Sequence, residues 1–301
     1  MNTELSKYTY VLEGATKQIQ AYFNICKPKV VLMLVLTAWV GIVLAPDTQR
    51  SGWFQFGALL GIGLVSAAAA AINHILDRVK DKQMARTRHR PLVMNQLSVS
   101  QAYLFALVIG SLGVILLLLF SNWLCTLLTV LALFGYAVVY TVYLKHSTPQ
   151  NIVIGGLAGA MPPLLGWVSE TQTLSAEPWL LVMMIFTWTP PHFWALAIAR
   201  KQDYARVNVP MLPVTHGIRF TKLCMIAYTV LLVLVCVLPY LIGMSGILYL
   251  AVACFLNARF LQKVVLLYFE SNSESAMQVF RFSISYLLLL FSALFLDKLV
   301  I

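Results

Sequence analysis

The chain has 301 residues, of which 60% are hydrophobic and only 11% charged, with a mean hydropathy of +0.82. That balance excludes an ordinary soluble domain and points to a polytopic membrane protein. The formal net charge of +10 needs no nucleic acid to explain it, because basic cytoplasmic loops facing anionic lipid headgroups suffice.

Taken in chain order, the N-terminal segment carries Glu4 and Glu13 and lacks both the apolar run and the small-residue cleavage site of a signal peptide, so no processing is expected. Apolar windows of about 20 residues, the length that crosses the hydrocarbon core, fall at 28–46, 54–73, 99–120, 122–143, 150–168, 178–199, 221–243, 245–267 and 279–299. The predicted architecture is all-α: a bundle of nine transmembrane helices in one integral-membrane domain spanning 1–301. Little more than Ser121 and Asn122 separates the third and fourth spans, and Gly243 to Gly246 separates the seventh and eighth, so both pairs are antiparallel hairpins. The long loops at about 74–98 and 200–220 follow the second and sixth spans, emerge on one face and are expected to cap one cavity.

Charge placement sets the orientation. With the N-terminus inside, 19 of the 21 Lys and Arg residues lie on the cytoplasmic side, leaving only Arg50 and Lys298 outside. A bacterial cytoplasmic membrane is the expected location, with the C-terminus periplasmic. The five cysteines, Cys26, Cys125, Cys224, Cys236 and Cys254, are odd in number and lack C-x-x-C spacing, so they read as small apolar residues.

The informative polar cluster stands at the cytosolic end of the second span. Asn73, Asp77 and Asp81 are spaced by four, which places them on one stripe of a helix. Two aspartates so placed repel each other, at a larger cost where water is excluded. A hard divalent cation such as Mg²⁺, which takes carboxylates together with phosphate and water oxygens, would offset that repulsion. Arg86, Arg88 and Arg90 follow at once, and a guanidinium fork matches phosphate oxygens. The bland alternative is that Asp77 and Asp81 pair with the neighbouring Arg78, Lys80 and Lys82 on a wetted loop.

The sixth span ends Trp188-Thr189-Pro190-Pro191-His192-Phe193-Trp194 and leads through Arg200 and Lys201 into Asp203 and Tyr204. Paired prolines free backbone carbonyls that a membrane tolerates only beside protein or a cavity. Asp203 is a candidate third carboxylate, or else a loop partner of Lys201 or Arg206. His192 has three open roles: iron ligand, proton relay, or hydrogen-bond partner of a neighbouring helix. Gly155, Gly156 and Gly159 in the fifth span favour close helix packing, or make room for a flat ligand. Trp167, Trp188 and Trp194 read as core or interface aromatics, of which one could face an allylic cation.

These segments together resemble the UbiA superfamily of intramembrane prenyltransferases, and within it the haem-farnesylating branch. The likeness rests on Cys26 to Val30, on Asn73 to Asp81, on Met84 to Leu92, on Tyr140 to Lys145, on Asn151 to Pro163, on Trp188 to Ile198 and on Asp203 to Val214, in that order along most of the chain. Val79, His146 and Val207-Asn208 depart from the family's usual residues.

The resemblance implies farnesyl diphosphate as donor and haem B as acceptor, with Mg²⁺ as cofactor. It implies Asn73, Asp77, Asp81 and Asp203 at the metal, and Asn73, Asp77, Asp81 and Lys145 in catalysis. Substrate binding falls to Arg86, Arg90, Asp203, Tyr204, His192 and Trp194. Its partners would be the lipid bilayer and, at the product end, haem A synthase or a terminal-oxidase assembly. The competing readings are a polyprenyltransferase acting on an aromatic ring and, from another class, a transporter with broken helices.

Overall fold

The computed structural model describes residues 16–46, 50–270 and 272–300. Glu4, Lys7 and Glu13 lie outside these residues. Among the described residues every regular element is helical.

The chain enters through α1 (Thr16–Ile25), which meets α2 (Pro28–Leu44) at a bend of 51°. Lys27 occupies the bend with φ of 51°, a left-handed conformation that costs a non-glycine residue about 1–2 kcal/mol. Pro28 follows as the first helical residue, where its missing N–H is no loss. Eight further helices or helix runs are long and apolar enough to span a membrane, and the bent α1–α2 pair makes a ninth. The protein is therefore a multi-pass membrane protein, as its hydropathy windows predict.

α3 (Gly52–Asp81) has 30 residues, or about 45 Å of helix against about 30 Å of hydrocarbon. The helix does not stop where the apolar window ends at 73. Its last two turns carry the polar stripe on to Asp81, so the loop begins eight residues later than the hydropathy suggests.

α4 (Val99–Phe120) returns beside α3 and turns Leu104, Leu107, Leu118 and Leu119 outward as a lipid face. The next span is composite: α5 (Trp123–Phe134), a π-helical stretch Gly135–Leu144, and the single turn α6 (Lys145–Ser147). α7 (Asn151–Ala160) and α8 (Pro162–Thr171) form one span, followed by α9 (Glu177–Ala199). Two short helices, α10 (Lys201–Arg206) and α11 (Leu212–Thr215), lie in the second long loop, and α12 (Gly217–Leu241), α13 (Ile247–Phe269) and α14 (Ser273–Val300) complete the bundle.

Lipid tails offer no hydrophobic drive between helices, so close backbone approach and buried hydrogen bonds hold the bundle. A Cβ on Gly166 of α8 would stand 1.9 Å from the Ala38 carbonyl oxygen of α2, and one on Gly41 would stand 2.0 Å from the Pro163 carbonyl oxygen. That crossing therefore requires glycine on both helices. On the other side, Tyr286 donates to Asn257 at 2.6 Å and Tyr249 donates to the Cys236 carbonyl at 2.8 Å, which ties α12, α13 and α14 together. Asp297 of α14 caps α13 by accepting from the backbone N–H groups of Gly246 and Tyr249. All five cysteines are free, as expected of apolar packing residues.

Candidate active site

Asn73, Asp77 and Asp81 are all buried at the protruding end of α3. Neither aspartate pairs with its sequence neighbours. Arg78 turns back to the Ile75 carbonyl, and Lys80 faces His146, because adjacent helical positions point about 100° apart. The partners come instead from elsewhere in the chain. Lys145 donates to Asp77 Oδ2 at 2.7 Å, and Arg90 donates to Asp81 Oδ2 at 2.6 Å.

The π-helical stretch explains how Lys145 arrives. Bonding from i to i+5 widens the turn, so residues four or five apart share a face, and such segments are frequent at functional sites. Here they are Tyr136, Tyr140, Thr141 and Lys145. Thr141 Oγ1 donates to the Tyr136 carbonyl at 2.8 Å, and it accepts from Asn73 Nδ2 at 3.1 Å. The Tyr136 and Tyr140 rings stack with centroids 5.7 Å apart. Tyr140 can lie there only because Gly155 has no side chain: a Cβ would stand 2.1 Å from its ring. Gly156 similarly admits Thr189, whereas a Cβ on Gly159 would meet nothing within 4 Å. Packing thus accounts for Gly155 and Gly156.

Asn73 is the connector. Its Oδ1 accepts from Lys27 Nζ at 2.6 Å, while its Nδ2 donates to Asp77 Oδ2 at 3.0 Å. Lys27 also reaches the Tyr136 hydroxyl at 3.2 Å. The strained backbone at the α1–α2 bend is what aims this ammonium at α3, and stored strain of this kind gathers at functional sites.

Lys27 and His74 were not legible as site residues. His74 is 5% exposed, both its ring nitrogens lack partners, and it sits in the field of Lys27, Arg90, Arg86 and Lys145. Lys27 could have been found from its place in the Cys26 to Val30 string; His74 offered only its position beside Asn73.

Tyr204 of α10 is buried and lies in the field of Arg86 and Arg90 from the first loop. Burial pushes the Tyr204 phenol above its usual value of 10.0, partly offset by Arg86. Asp203 is half-buried and joins no ion pair with Lys201 or Arg206. His192 is buried between the rings of Trp188 and Phe280. Trp194 packs edge-to-face on Tyr228 in the core cluster that also holds Tyr204, and its buried indole N–H has no partner among the described residues.

The donor set suits a hard cation. In each aspartate Oδ2 takes the cationic partner, while Oδ1 has no hydrogen bond and is not among the sealed-in polar atoms. No group of three or more His, Cys, Asp or Glu is close enough among the described residues to hold a metal alone. Mg²⁺ commonly uses one or two carboxylates and completes its shell with substrate phosphate and water, so the arrangement fits.

Comparison with known proteins decides the family. The description of the UbiA prenyltransferase family matches residues 34–290. The chain belongs to that family. It is 62% identical over 280 residues to protoheme IX farnesyltransferase 2 of Pseudoalteromonas translucida, covering 93% of this chain and 91% of that one. It is 57% identical over 286 residues to protoheme IX farnesyltransferase of Psychromonas ingrahamii, covering 95% and 92%. In fold it is similar to a digeranylgeranylglyceryl phosphate synthase (TM-score 0.78, 19% identity, 94% of this chain and 99% of that one). A UbiA homologue from Archaeoglobus fulgidus solved with DMAPP and Mg²⁺ is also similar (TM-score 0.65, 15% identity, 91% and 98%).

Proposed function

We propose that this protein transfers a farnesyl group from farnesyl diphosphate to a vinyl group of haem B, giving haem O with its hydroxyethylfarnesyl substituent, and diphosphate. The observation that carries the reading is the buried pair Asp77 and Asp81, each held by a distant cation on the overhanging end of α3. The donor and acceptor follow the relatives, which are named protoheme IX farnesyltransferases.

Asp77 and Asp81 would hold Mg²⁺ through their second oxygens; Asp203 forms no three-carboxylate group with them among the described residues. Asn73 would hold Asp77 in place, because Lys27 already engages its Oδ1. When bound, Mg²⁺ supplies Lewis-acid stabilisation of the leaving diphosphate. Lys145, Arg86 and Arg90 would receive the diphosphate oxygens, exchanging carboxylate for phosphate partners, and Tyr204 would keep Arg86 oriented.

As the C1–O bond of the donor breaks, its electron pair stays on the diphosphate, where those preorganised cations stabilise it. The vinyl π pair then forms the new bond to C1. Water adds to the carbocation left on the porphyrin-attached carbon of the former vinyl group and releases a proton, which completes the hydroxyl substituent. His192 would orient the haem. The basic loops support an orientation with this face, and the N-terminus, on the cytoplasmic side of a bacterial inner membrane.

The test supplies purified protein with haem B, farnesyl diphosphate and Mg²⁺ and looks for alkylated haem by mass spectrometry, with a phenolic ring acceptor in competition. Alkylation of haem alone supports the reading. Preferential alkylation of the phenolic ring, or flux across proteoliposomes with no covalent product, overturns it.

A further inference from the structure

Ser283 of α14 is bonded on three sides. Trp188 Nε1 donates to the Ser283 carbonyl at 2.9 Å, His192 Nδ1 lies 2.6 Å from Ser283 Oγ, and Ser283 Oγ donates to the Phe280 carbonyl at 2.7 Å. Trp188 and His192 stand four apart on α9, so one residue of α14 receives both from a single face.

The hydroxyl has one proton. A serine inside a helix commonly gives it to the carbonyl three or four residues back, as here to Phe280. Oγ can then only accept from His192, so Nδ1 carries the imidazole proton and Nε2 keeps a bare lone pair. The reverse assignment would leave Oγ and the Phe280 carbonyl oxygen facing each other at 2.7 Å with no proton between them.

The ring is also fixed in orientation. Trp188 stacks on it at 4.3 Å and 18°, and Phe280 at 4.6 Å and 25°. Phe193 meets the ring edge-on at 4.9 Å and 77°, and Nε2 is the ring nitrogen left without a partner. Nε2 has no hydrogen bond and, unlike the nitrogens of His74, is not sealed in. His192 lies seven residues from the Ala199 end of α9, about 10 Å below the loops that carry Arg86 and Tyr204.

A metal-binding histidine that gives its other N–H to an oxygen acceptor has its tautomer and direction set by that acceptor. We propose that Ser283 is a positioning residue that locks His192 in the Nδ1–H tautomer and presents Nε2 as an axial ligand to porphyrin-bound iron. The proposal rests on haem B being the acceptor, but it concerns iron ligation and not transfer. Ligating the iron from one wall fixes the plane of the macrocycle, and with it the reach of its vinyl group towards the donor.

The experiment titrates the full-length protein in detergent with haem B in the absence of farnesyl diphosphate and reads the ferrous iron–histidine stretch by resonance Raman spectroscopy. The band appears in wild type and is lost in His192→Ala. It shifts in Ser283→Ala, and Ser283→Thr, which keeps the hydroxyl, restores its position. Haem affinity falls about tenfold or more in Ser283→Ala, as expected for a partner of a metal ligand, while the KM for the prenyl donor stays unchanged. The band persisting in His192→Ala, or an identical band and haem affinity in Ser283→Ala, overturns the proposal. A wild-type band without farnesyl transfer would retain this assignment and sink the reaction.

Discussion

Lys145 Nζ lies 2.7 Å from Asp77 Oδ2 across a sequence separation of 68 residues, joining the π-helical stretch to the end of α3. Both groups are largely buried, and truncating one partner leaves the other uncompensated, a loss on the order of 3 kcal/mol. Lys145→Met should therefore lower the melting temperature in detergent and abolish transfer. The double variant Asp77→Asn/Lys145→Met should recover much of the stability and none of the activity. A double variant no more stable than the single one would show that the pair is not coupled.

Arg90 holds Asp81 in the described state and would pass to the diphosphate in the complex. Arg90→Ala should weaken binding of farnesyl diphosphate about tenfold or more, the scale of one charge-assisted hydrogen bond, with a smaller effect on haem. Calorimetric titration with each substrate separates the two. Equal losses would indicate damage to the fold.

The contact of Gly155 with Tyr140 gives an internally controlled comparison. Gly155→Ala puts a methyl 2.1 Å from a ring carbon and should destabilise the protein by about 1–3 kcal/mol through overpacking. It should also reduce transfer, because Tyr140 shares the stretch that delivers Lys145. Gly159→Ala, four residues on with open space, should be silent. Thermal unfolding and turnover of the two variants check this; equal behaviour would refute the packing account.

Tyr204 has a phenol raised above 10.0 by burial. The unfolded chain therefore gives up this proton at lower pH than the folded protein does, so the contribution to stability is complete below about pH 10 and falls as pH rises beyond it. Tyr204→Phe should flatten the stability profile in that alkaline range. An unchanged slope would mean the hydroxyl is not buried as described. At neutral pH the neutral hydroxyl is the form that meets Arg86.

The spans were legible because hydropathy windows report the one thing a bilayer demands, continuous apolar length. The overrun of α3 was not, since its last turns lose the apolar signal while staying helical. The four-residue spacing of Asn73, Asp77 and Asp81 did identify their common stripe. Arg90, the partner of Asp81, stood in the arginine run that follows, but the partner of Asp77 was beyond local reading: Arg78 and Lys80 are near in sequence but engage other groups, whereas Lys145 arrives through a π-helical register that sequence periodicity does not show. Lys27 depends on a left-handed bend, His74 on the surrounding charges, and Ser283 on a helix crossing. Of these only Lys27 leaves a trace in the chain, through the Cys26 to Val30 string.

The central claim is that Asp77 and Asp81 grip the diphosphate through a divalent cation. Single-turnover farnesyl transfer by Asp77→Ala and Asp81→Ala, at saturating Mg²⁺ and with helicity and detergent-solubilised size matched to wild type, tests it most directly. Transfer should be abolished in both variants, and in wild type after chelation of divalent ions. Near-normal turnover in either variant would contradict the account.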